Sequence, residues 1–433
     1  MAHKKNPSET LSHSPATPDL TGWDQRRTAI LVIHGIGDQV PLETLDAFGR
    51  TLAQTLAGVP GTKIEITHRL ARKPGSNPAD IWFDNVLRIQ DANRPQAGWV
   101  DLYEYYWANK TEDKVKPNEI QGWVSEVTRG AQKFYKENQE LAVADEKRGF
   151  FTGKGRFHGF KYRFVLGAIG VLIPTLSWTA ENLLKLLALI PMVGGVFRSL
   201  LTTYFAGSKK RMVNLIGDIV VYTTSDRKSR FYDVRQDILG GAVKALRYLL
   251  EPEGDKHKEH RYDRVVLAGH SLGTQVAYDA VNRLVHQLGE GQVAGFDSQG
   301  KSTVVPGMTL VRLLGGFVTF GSPLDKIAFF LREQVPADQY LRKQLVAHYH
   351  SFKQRDWNPN WKPEFTVKTP FKRLLDGVVW RNYFDRRDYV SGSLDFYEGL
   401  TNVDARLPKK LFTHNDYWSH SPMFVDIVAK FLQ

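Results

Sequence analysis

One short stretch constrains the fold of this chain more than any other: the run RVVLAGHSLGTQ, in which Gly269 and Gly273 lie two residues on either side of Ser271. The residues before the first glycine form an apolar run typical of a buried strand, and those after the second have helical spacing. A sharp turn from strand to helix strains the apex residue, and side chains two positions away would collide, so glycine is favoured there. The pattern predicts a strand, a turn with Ser271 at its apex, and a helix beginning near Leu272.

Strands and helices alternate along most of the chain, which predicts an α/β fold with a mostly parallel central sheet flanked by helices. Strands are predicted at TAILVI, KIEITHRL, WVDLYEYYW, RVVLAGH, GGFVTF and GVVWRNYF. Helices are predicted at LETLDAFGRTLAQTLA, at SRFYDVRQDILGGAVKALRYLLE and at the C-terminus. We expect residues 1–22 to be a disordered leader and residues 23–433 to form one domain, with a helical, apolar insertion at about 110–210.

The composition excludes several chemistries. The 433 residues include no cysteine, so neither disulfides nor thiolate catalysis is available. The sequence has no phosphate-binding loop, no dinucleotide fingerprint and no convincing metal-ligand spacing, and we expect no cofactor and no metal. The net charge of +12 favours anionic partners such as anionic lipid or nucleic acid. The sequence has no nucleic-acid-binding motif, and nucleic acid stays an alternative only because of the basic and aromatic run KQRDWNPNWKPEF.

The chain resembles the α/β-hydrolase superfamily, and within it the lipase-like serine esterases with a GHSLG turn. The resemblance comes from four short stretches distributed between Ile30 and Trp418. It implies that Ser271 is the nucleophile. It also implies that the Leu272 N–H group, at the start of the following helix, stabilises an oxyanion.

The run HGIGD, from His34 to Asp38, is the second stretch of the resemblance. In such enzymes an HG motif after an early strand supplies the other oxyanion-hole N–H group. By resemblance that donor is Ile36, with Gly35 or Gly37 as alternatives. His34 itself is expected to be structural, because it precedes the serine, whereas the order in the family is serine, acid, histidine.

The acid and the base of a catalytic triad are expected late in the chain. Asp388 follows the strand GVVWRNYF and is our first choice for the acid, with Asp385 as the alternative and Asp325 as a poorer candidate. The run FTHNDYWSH resembles the histidine loop of several lipases, which favours His414 as the base, with His420 as the alternative. The histidine would take the proton of the serine, and the carboxylate would hold its tautomer.

The segment Phe164–Leu201 is strongly apolar but is broken by proline and glycine, so neither of its halves is a clean transmembrane span. Basic residues flank it on both sides: Lys154, Arg156, Lys161 and Arg163 before it, and Lys209, Lys210 and Arg211 after it. Two interpretations stay open. The segment is either a helical hairpin that docks on an anionic membrane surface or a pair of cap helices packed over the active site.

These patterns together predict a serine esterase of the lipase or phospholipase type that cleaves lipid-like esters through an acyl-enzyme. A small-ester carboxylesterase and a non-catalytic, membrane-associated scaffold of the same fold are the alternatives. The first twenty residues have no apolar region typical of a secretion signal. We therefore expect a cytoplasmic protein, with peripheral membrane association as an open alternative.

Overall fold

The structure of the chain is a computed structural model, which describes residues 6–11, 26–36, 39–71, 84–111, 222, 230–251, 261–288, 292–296, 302–324, 338–349, 352–353, 363–368, 375, 377–388, 390–394, 397–408 and 413–433. The predicted insertion, including its apolar segment 164–201, lies almost wholly outside the described residues. So does most of the predicted leader. The domain boundaries and both interpretations of the apolar segment therefore stay predictions.

Eleven strands are present among the described residues. They are β1 (Ser8–Thr10), β2 (Thr28–Ile33), β3 (Ile64–Leu70), β4 (Asn85–Asp91), β5 (Val100–Tyr105), β6 (Arg264–His270), β7 (Gln292–Phe296), β8 (Ser302–Pro306), β9 (Leu314–Phe320), β10 (Val379–Phe384) and β11 (Leu400–Asp404). Nine of them form one sheet in the order β1-β11-β10-β9-β6-β2-β5-β4-β3, and β7 pairs with β8. Within the large sheet every pairing is parallel except the two made by β4. The prediction of a mostly parallel sheet is confirmed.

The described helices are α1 (Glu43–Ala57), α2 (Arg230–Leu250), α3 (Gly273–Leu288), α4 (Gly307–Val311), α5 (Tyr340–Tyr349) and α6 (Ser421–Phe431). Short 3-10 turns cover Ala108–Lys110 and Asp416–Ser419. Among these elements, none of the helices has the length and apolar character needed to cross a membrane.

The two faces of the sheet are covered by different helices, as the alternation of side chains along β2 shows. Ala29, Leu31 and Ile33 belong to a buried cluster with the apolar faces of α2 and α3. Ile30 and Val32 belong to a second cluster with the apolar faces of α1 and α6. Because β2 is buried on both faces, its sequence is a continuous apolar run rather than an alternating one.

The centre of the sheet is the parallel trio β2, β6 and β9. Ile33 at the end of β2 is aligned with Gly269, and His270 at the end of β6 is aligned with Phe320 at the end of β9. The carboxyl ends of these three strands therefore meet at one edge of the sheet. The turn that follows β6 lies between the loops that follow β2 and β9.

Residues 6–11 differ from the disordered leader that we expected, since β1 pairs in parallel with β11 at the edge of the sheet. The Asn6 side chain donates hydrogen bonds to the carbonyl oxygens of Leu394 and Tyr397. Glu9 forms an ion pair with the buried guanidinium of Arg381. The polar composition of this segment predicted disorder because the segment was considered alone. In the structure, β11 and Arg381, which are distant in the sequence, provide its hydrogen-bond and ion-pair partners.

Candidate active site

Ser271 lies at the apex of the turn between β6 and α3, with a φ of 52°. This left-handed conformation is unusual for a residue that is not glycine, and it strains the backbone at one point. The turn is held from both sides: the Ser271 N–H donates to the Phe320 carbonyl at 3.1 Å, and the Thr274 hydroxyl donates to the Ser271 carbonyl at 2.6 Å. The predicted strand, turn and helix around Ser271 are confirmed.

Two glycines allow the loop after β2 to lie directly against this turn, and a third allows the turn itself to close. A Cβ atom on Gly273 would be 2.2 Å from the His34 carbonyl oxygen, and a Cβ on Gly35 would be 2.6 Å from the Cβ of Ser271. A Cβ on Gly269 would lie 2.8 Å from the backbone of α3. All three contacts are too short for any side chain, so glycine is required by the close approach of two backbone segments.

His34 fixes the shape of the loop after β2. Its Nε2 accepts a hydrogen bond from the Trp107 N–H at 3.0 Å, so Nδ1 carries the proton and donates to the Gly35 carbonyl at 2.7 Å. The Trp107 indole stacks on the imidazole and donates to the His34 carbonyl at 3.1 Å. Burial lowers the pKa of His34 to about 4, so the ring is neutral near pH 7. The buried Ile36 follows, while Gly37 lies outside the described residues.

Glu104, at the end of β5, holds the far end of the same loop. It is aligned with Val32 of β2, and its Oε2 accepts a hydrogen bond from the Leu42 N–H at 2.6 Å. Leu42 has a φ of 71° at the start of α1. Burial raises the pKa of Glu104 to about 7, although hydrogen bonds from Leu42 and Thr44 lower it.

Asp388 and His414 lie in direct contact. His414 Nδ1 is 2.9 Å from Asp388 Oδ2, and both side chains are buried. The carboxylate also accepts hydrogen bonds from the Tyr417 hydroxyl at 3.0 Å and from the Val390 N–H at 2.9 Å. Burial alone would raise the pKa of Asp388, but attraction to His414 and the hydrogen bonds from His414, Val390 and Ser391 lower it well below its usual range. An ionised carboxylate only accepts, so His414 carries its proton on Nδ1.

The other ring nitrogen of His414 is not engaged by the Asp388 contact. Nε2 is buried and has no hydrogen-bond partner among the described residues. The ring lies against Gly321, because a Cβ on that glycine would be 3.0 Å from His414 Cε1. Gly321 directly follows Phe320, whose carbonyl binds the Ser271 N–H. The imidazole and the serine turn therefore meet at the same point, the carboxyl end of β9.

His270, next to the serine, supports the backbone of His414. Its Nε2 lies 3.0 Å from the His414 carbonyl, which only accepts, so His270 donates. The two imidazole rings are 4.8 Å apart. Burial, together with the neighbouring His414, lowers the pKa of His270 to about 3, so this ring stays neutral and acts as a fixed donor.

The alternative candidates lie elsewhere or have other partners. Asp385 accepts two side-chain hydrogen bonds from Arg387 and one from the Leu407 N–H at 2.7 Å, which commits both of its oxygens. His420 immediately precedes α6, and the histidine hydrogen-bonded to Asp388 is His414. Asp325 lies outside the described residues. Of the two aspartates on the loop after β10, the structure brings Asp388 to His414.

The sequence did not single out the positioning roles of Gly321, His270, Trp107, Tyr417 and Glu104. A signal existed for two of them. Tyr417 belongs to the run of residues around His414 that resembles a lipase histidine loop, and Gly321 ends a predicted strand. The other three have roles that arise only when β2, β5 and the histidine loop come together.

No protein-family model matches the chain, and no curated protein or solved structure matches it either. Among the described residues, no group of three His, Asp or Glu side chains could hold a metal ion. Any activity therefore has to be inferred from the geometry of the site itself.

Proposed function

We propose that this protein is a serine hydrolase of the α/β-hydrolase fold, which cleaves the carboxylic ester bonds of lipid-like substrates through an acyl-enzyme intermediate. The observation that carries the proposal is the buried Asp388–His414 pair. His414 Nε2 has no hydrogen-bond partner among the described residues, and the His414 ring lies beside the strained turn at Ser271. The chain order Ser271, Asp388, His414 is the order of that fold. The parallel sheet, with the serine after a central strand, supports the same assignment.

In the first half of the proposed reaction, Ser271 Oγ attacks the ester carbonyl carbon while His414 Nε2 accepts the hydroxyl proton. The tetrahedral intermediate collapses, the bond to the leaving oxygen breaks, and His414 returns the proton to the departing alcohol. Water then attacks the acyl-enzyme with His414 again as the base, which releases the carboxylic acid and restores the serine. Asp388 remains ionised throughout and stabilises the imidazolium, consistent with its lowered pKa.

The proposed oxyanion hole consists of the N–H groups of Leu272 and Ile36, with Gly35 as the alternative to Ile36. Leu272 precedes α3, where the helix dipole favours negative charge. A Cβ on Gly35 would lie 3.3 Å from Ser271 Oγ, and this closeness of the loop after β2 to the serine hydroxyl supports the proposal. The hydrogen bond from His34 Nδ1 engages the Gly35 carbonyl and fixes the peptide that joins Gly35 to Ile36.

The lipid-like substrate class is supported by the sequence of the insertion, whose apolar segment 164–201 has basic flanks. Initial rates on p-nitrophenyl esters of increasing acyl length test it. We expect kcat/KM to rise with chain length, and we expect Ser271→Ala to lose about 10⁴-fold or more while folding normally. A preference for short acyl chains indicates the small-ester carboxylesterase instead.

A non-catalytic scaffold is the alternative from a different class, and it predicts no turnover of any ester. Membrane association is tested separately by co-sedimentation with vesicles. If the basic flanks dock on lipid, binding is stronger to anionic than to zwitterionic vesicles and weakens with salt, because each Lys or Arg contributes about 1 kcal/mol at such a surface. Replacing Lys209, Lys210 and Arg211 by glutamine weakens it further and leaves soluble-ester turnover unchanged. If vesicle binding does not depend on lipid charge or on salt, the segment 164–201 does not dock on an anionic membrane, and the interpretation as a buried cap is favoured.

A further inference from the structure

Strand β3 forms one edge of the sheet among the described residues, and it is unusually exposed. It pairs with β4 along seven consecutive residues, without a bulge. Every residue after Ile64 is exposed to solvent. Ile66 is 51% exposed and Leu70 is 60% exposed, so the edge has exposed apolar side chains, and β4 is its only strand partner among the described residues.

An edge of this kind is ready to pair with another strand. Proteins usually protect edge strands with proline, charged side chains, a bulge or a short length. The sequence of β3, IEITHRL, contains no proline, its pairing with β4 is regular, and its two charged residues, Glu65 and Arg69, have opposite signs, so they repel a second copy only in a register that pairs like charges. The N–H and C=O groups on its outer side can therefore continue the hydrogen-bonded ladder.

The sequence of β3 is complementary to itself when two copies run antiparallel about a two-fold axis at Thr67. Glu65 of one copy then lies opposite Arg69 of the other, and by symmetry this pair occurs twice. Ile64 of one copy lies opposite Leu70 of the other, which gives two apolar pairs. Glu65 contacts the uncharged Gln90 amide at 3.0 Å in its own chain, and that contact leaves its negative charge unneutralised.

The apolar residues of β3 also share one face of the sheet. Ile66 is directly opposite Ile89 of β4, and Ile89 is buried against α1. Since residues two apart point to the same side, Ile64 and Leu70 lie on that face as well. Antiparallel pairing would place the exposed Leu70 of each copy beside Ile64 of the other, and Ile66 of each copy opposite His68 of the other, on this same face.

We propose that a second copy of this chain binds at β3, by antiparallel edge-to-edge pairing centred on Thr67, so that two sheets become one continuous sheet. A two-fold dimer brings the same strand of each subunit together in opposite directions, which is the arrangement that the charges favour. The pairing is four strands from β6 in the sheet order, so it leaves the Ser271 turn unchanged. The proposal is independent of the proposed ester hydrolysis.

Sedimentation equilibrium of the full chain over a wide concentration range tests the pairing. Wild type should show a monomer–dimer equilibrium. Glu65→Arg alone, or Arg69→Glu alone, places like charges opposite each other twice, and each should weaken the dimer by about tenfold or more. The double variant Glu65→Arg/Arg69→Glu exchanges the charges and should restore dimerisation. Glu364→Arg changes an exposed charge outside β3 and should leave the equilibrium unchanged.

Far-ultraviolet circular dichroism and urea unfolding of each variant check that a loss of dimer is not a loss of fold. Rescue by the double variant is itself a control, because a misfolded single variant would not recover after a second substitution. A chain that stays monomeric at every concentration overturns the proposal. A dimer that is insensitive to both single substitutions overturns it too, since the subunits then associate through another surface.

Discussion

Gly321 provides a test of how closely the imidazole of His414 has to be positioned. The residue has a φ of 62°, and a Cβ there would lie 3.0 Å from His414 Cε1. Non-bonded carbon atoms prefer about 3.5 Å or more, so the ring has to move by roughly 0.5 Å in Gly321→Ala. Because a 1 Å misplacement costs about a hundredfold in rate, we expect kcat/KM to fall about tenfold.

Gly61 is the matched control for this substitution. It also has a left-handed φ, of 78°, but a Cβ there would meet no atom within 4 Å. Both alanine variants should lose about 1 kcal/mol of unfolding free energy from the same backbone strain, measured by urea denaturation. Only Gly321→Ala should lose ester turnover. Equal activity of the two variants, whether both full or both reduced, would refute the placement of His414 beside Gly321.

Two further predictions concern the carboxylates of the site. Asp388→Asn should reduce kcat/KM by about 10³ to 10⁴-fold, because His414 loses the partner that holds its tautomer. Asp385→Asn should reduce kcat/KM by only a few fold. If steady-state kinetics rank the two variants in the reverse order, the acid is Asp385. Burial raises the pKa of Glu104 to about 7 from the ordinary 4.5, so between these pH values the folded state binds a proton that the unfolded state releases. The contribution of the protonated Glu104 to stability is therefore complete below about pH 4.5 and is lost as the pH rises through 7. Between about pH 5 and pH 8, the unfolding free energy of Glu104→Gln should therefore decrease less than that of wild type, by at most about 3 kcal/mol. The control Glu364→Gln should show the same decrease as wild type. An unchanged slope in Glu104→Gln would contradict the raised pKa.

The central strands could be predicted because their own residues require burial. TAILVI and RVVLAGH are continuous apolar runs, and such runs are typical of strands covered on both faces. The turn at Ser271 was equally predictable, since the spacing of Gly269 and Gly273 is a local requirement of the backbone. Asp388 and His414 were selected by their order in the chain and by the resemblance of their flanking residues to lipases; the structure brings them into contact, and their catalytic roles stay predictions.

Strands β4 and β11 could not be predicted in the same way, because their polar residues are stabilised by neighbouring strands. Arg88 of β4 forms a bidentate ion pair with the buried Asp101 of β5, at 2.7 and 2.8 Å. Asn402 of β11 accepts a hydrogen bond from the buried Asn382 of β10. Neither strand has an apolar pattern strong enough to identify it before its partner is known.

The positioning residues of the site were hidden for a related reason. The contact between Gly321 and His414 joins residues 93 positions apart, the difference of 414 and 321. The stacking of Trp107 on His34 joins the residues that follow β5 and β2, which are neighbours in the sheet. Such roles depend on topology, which a pattern of spacing along the chain does not contain.

The most direct test of the central claim is covalent labelling of the nucleophile. A fluorophosphonate reacts with a serine only when a neighbouring base removes the hydroxyl proton and an oxyanion hole stabilises the developing charge. Intact-protein mass spectrometry followed by peptide mapping should find a single adduct, on Ser271 of the wild-type protein. Ser271→Ala should remain unlabelled under the same conditions, and Asp388→Asn should react much more slowly. An unlabelled wild type, or an equal adduct on Ser271→Ala, would contradict the assignment of this site as a serine hydrolase.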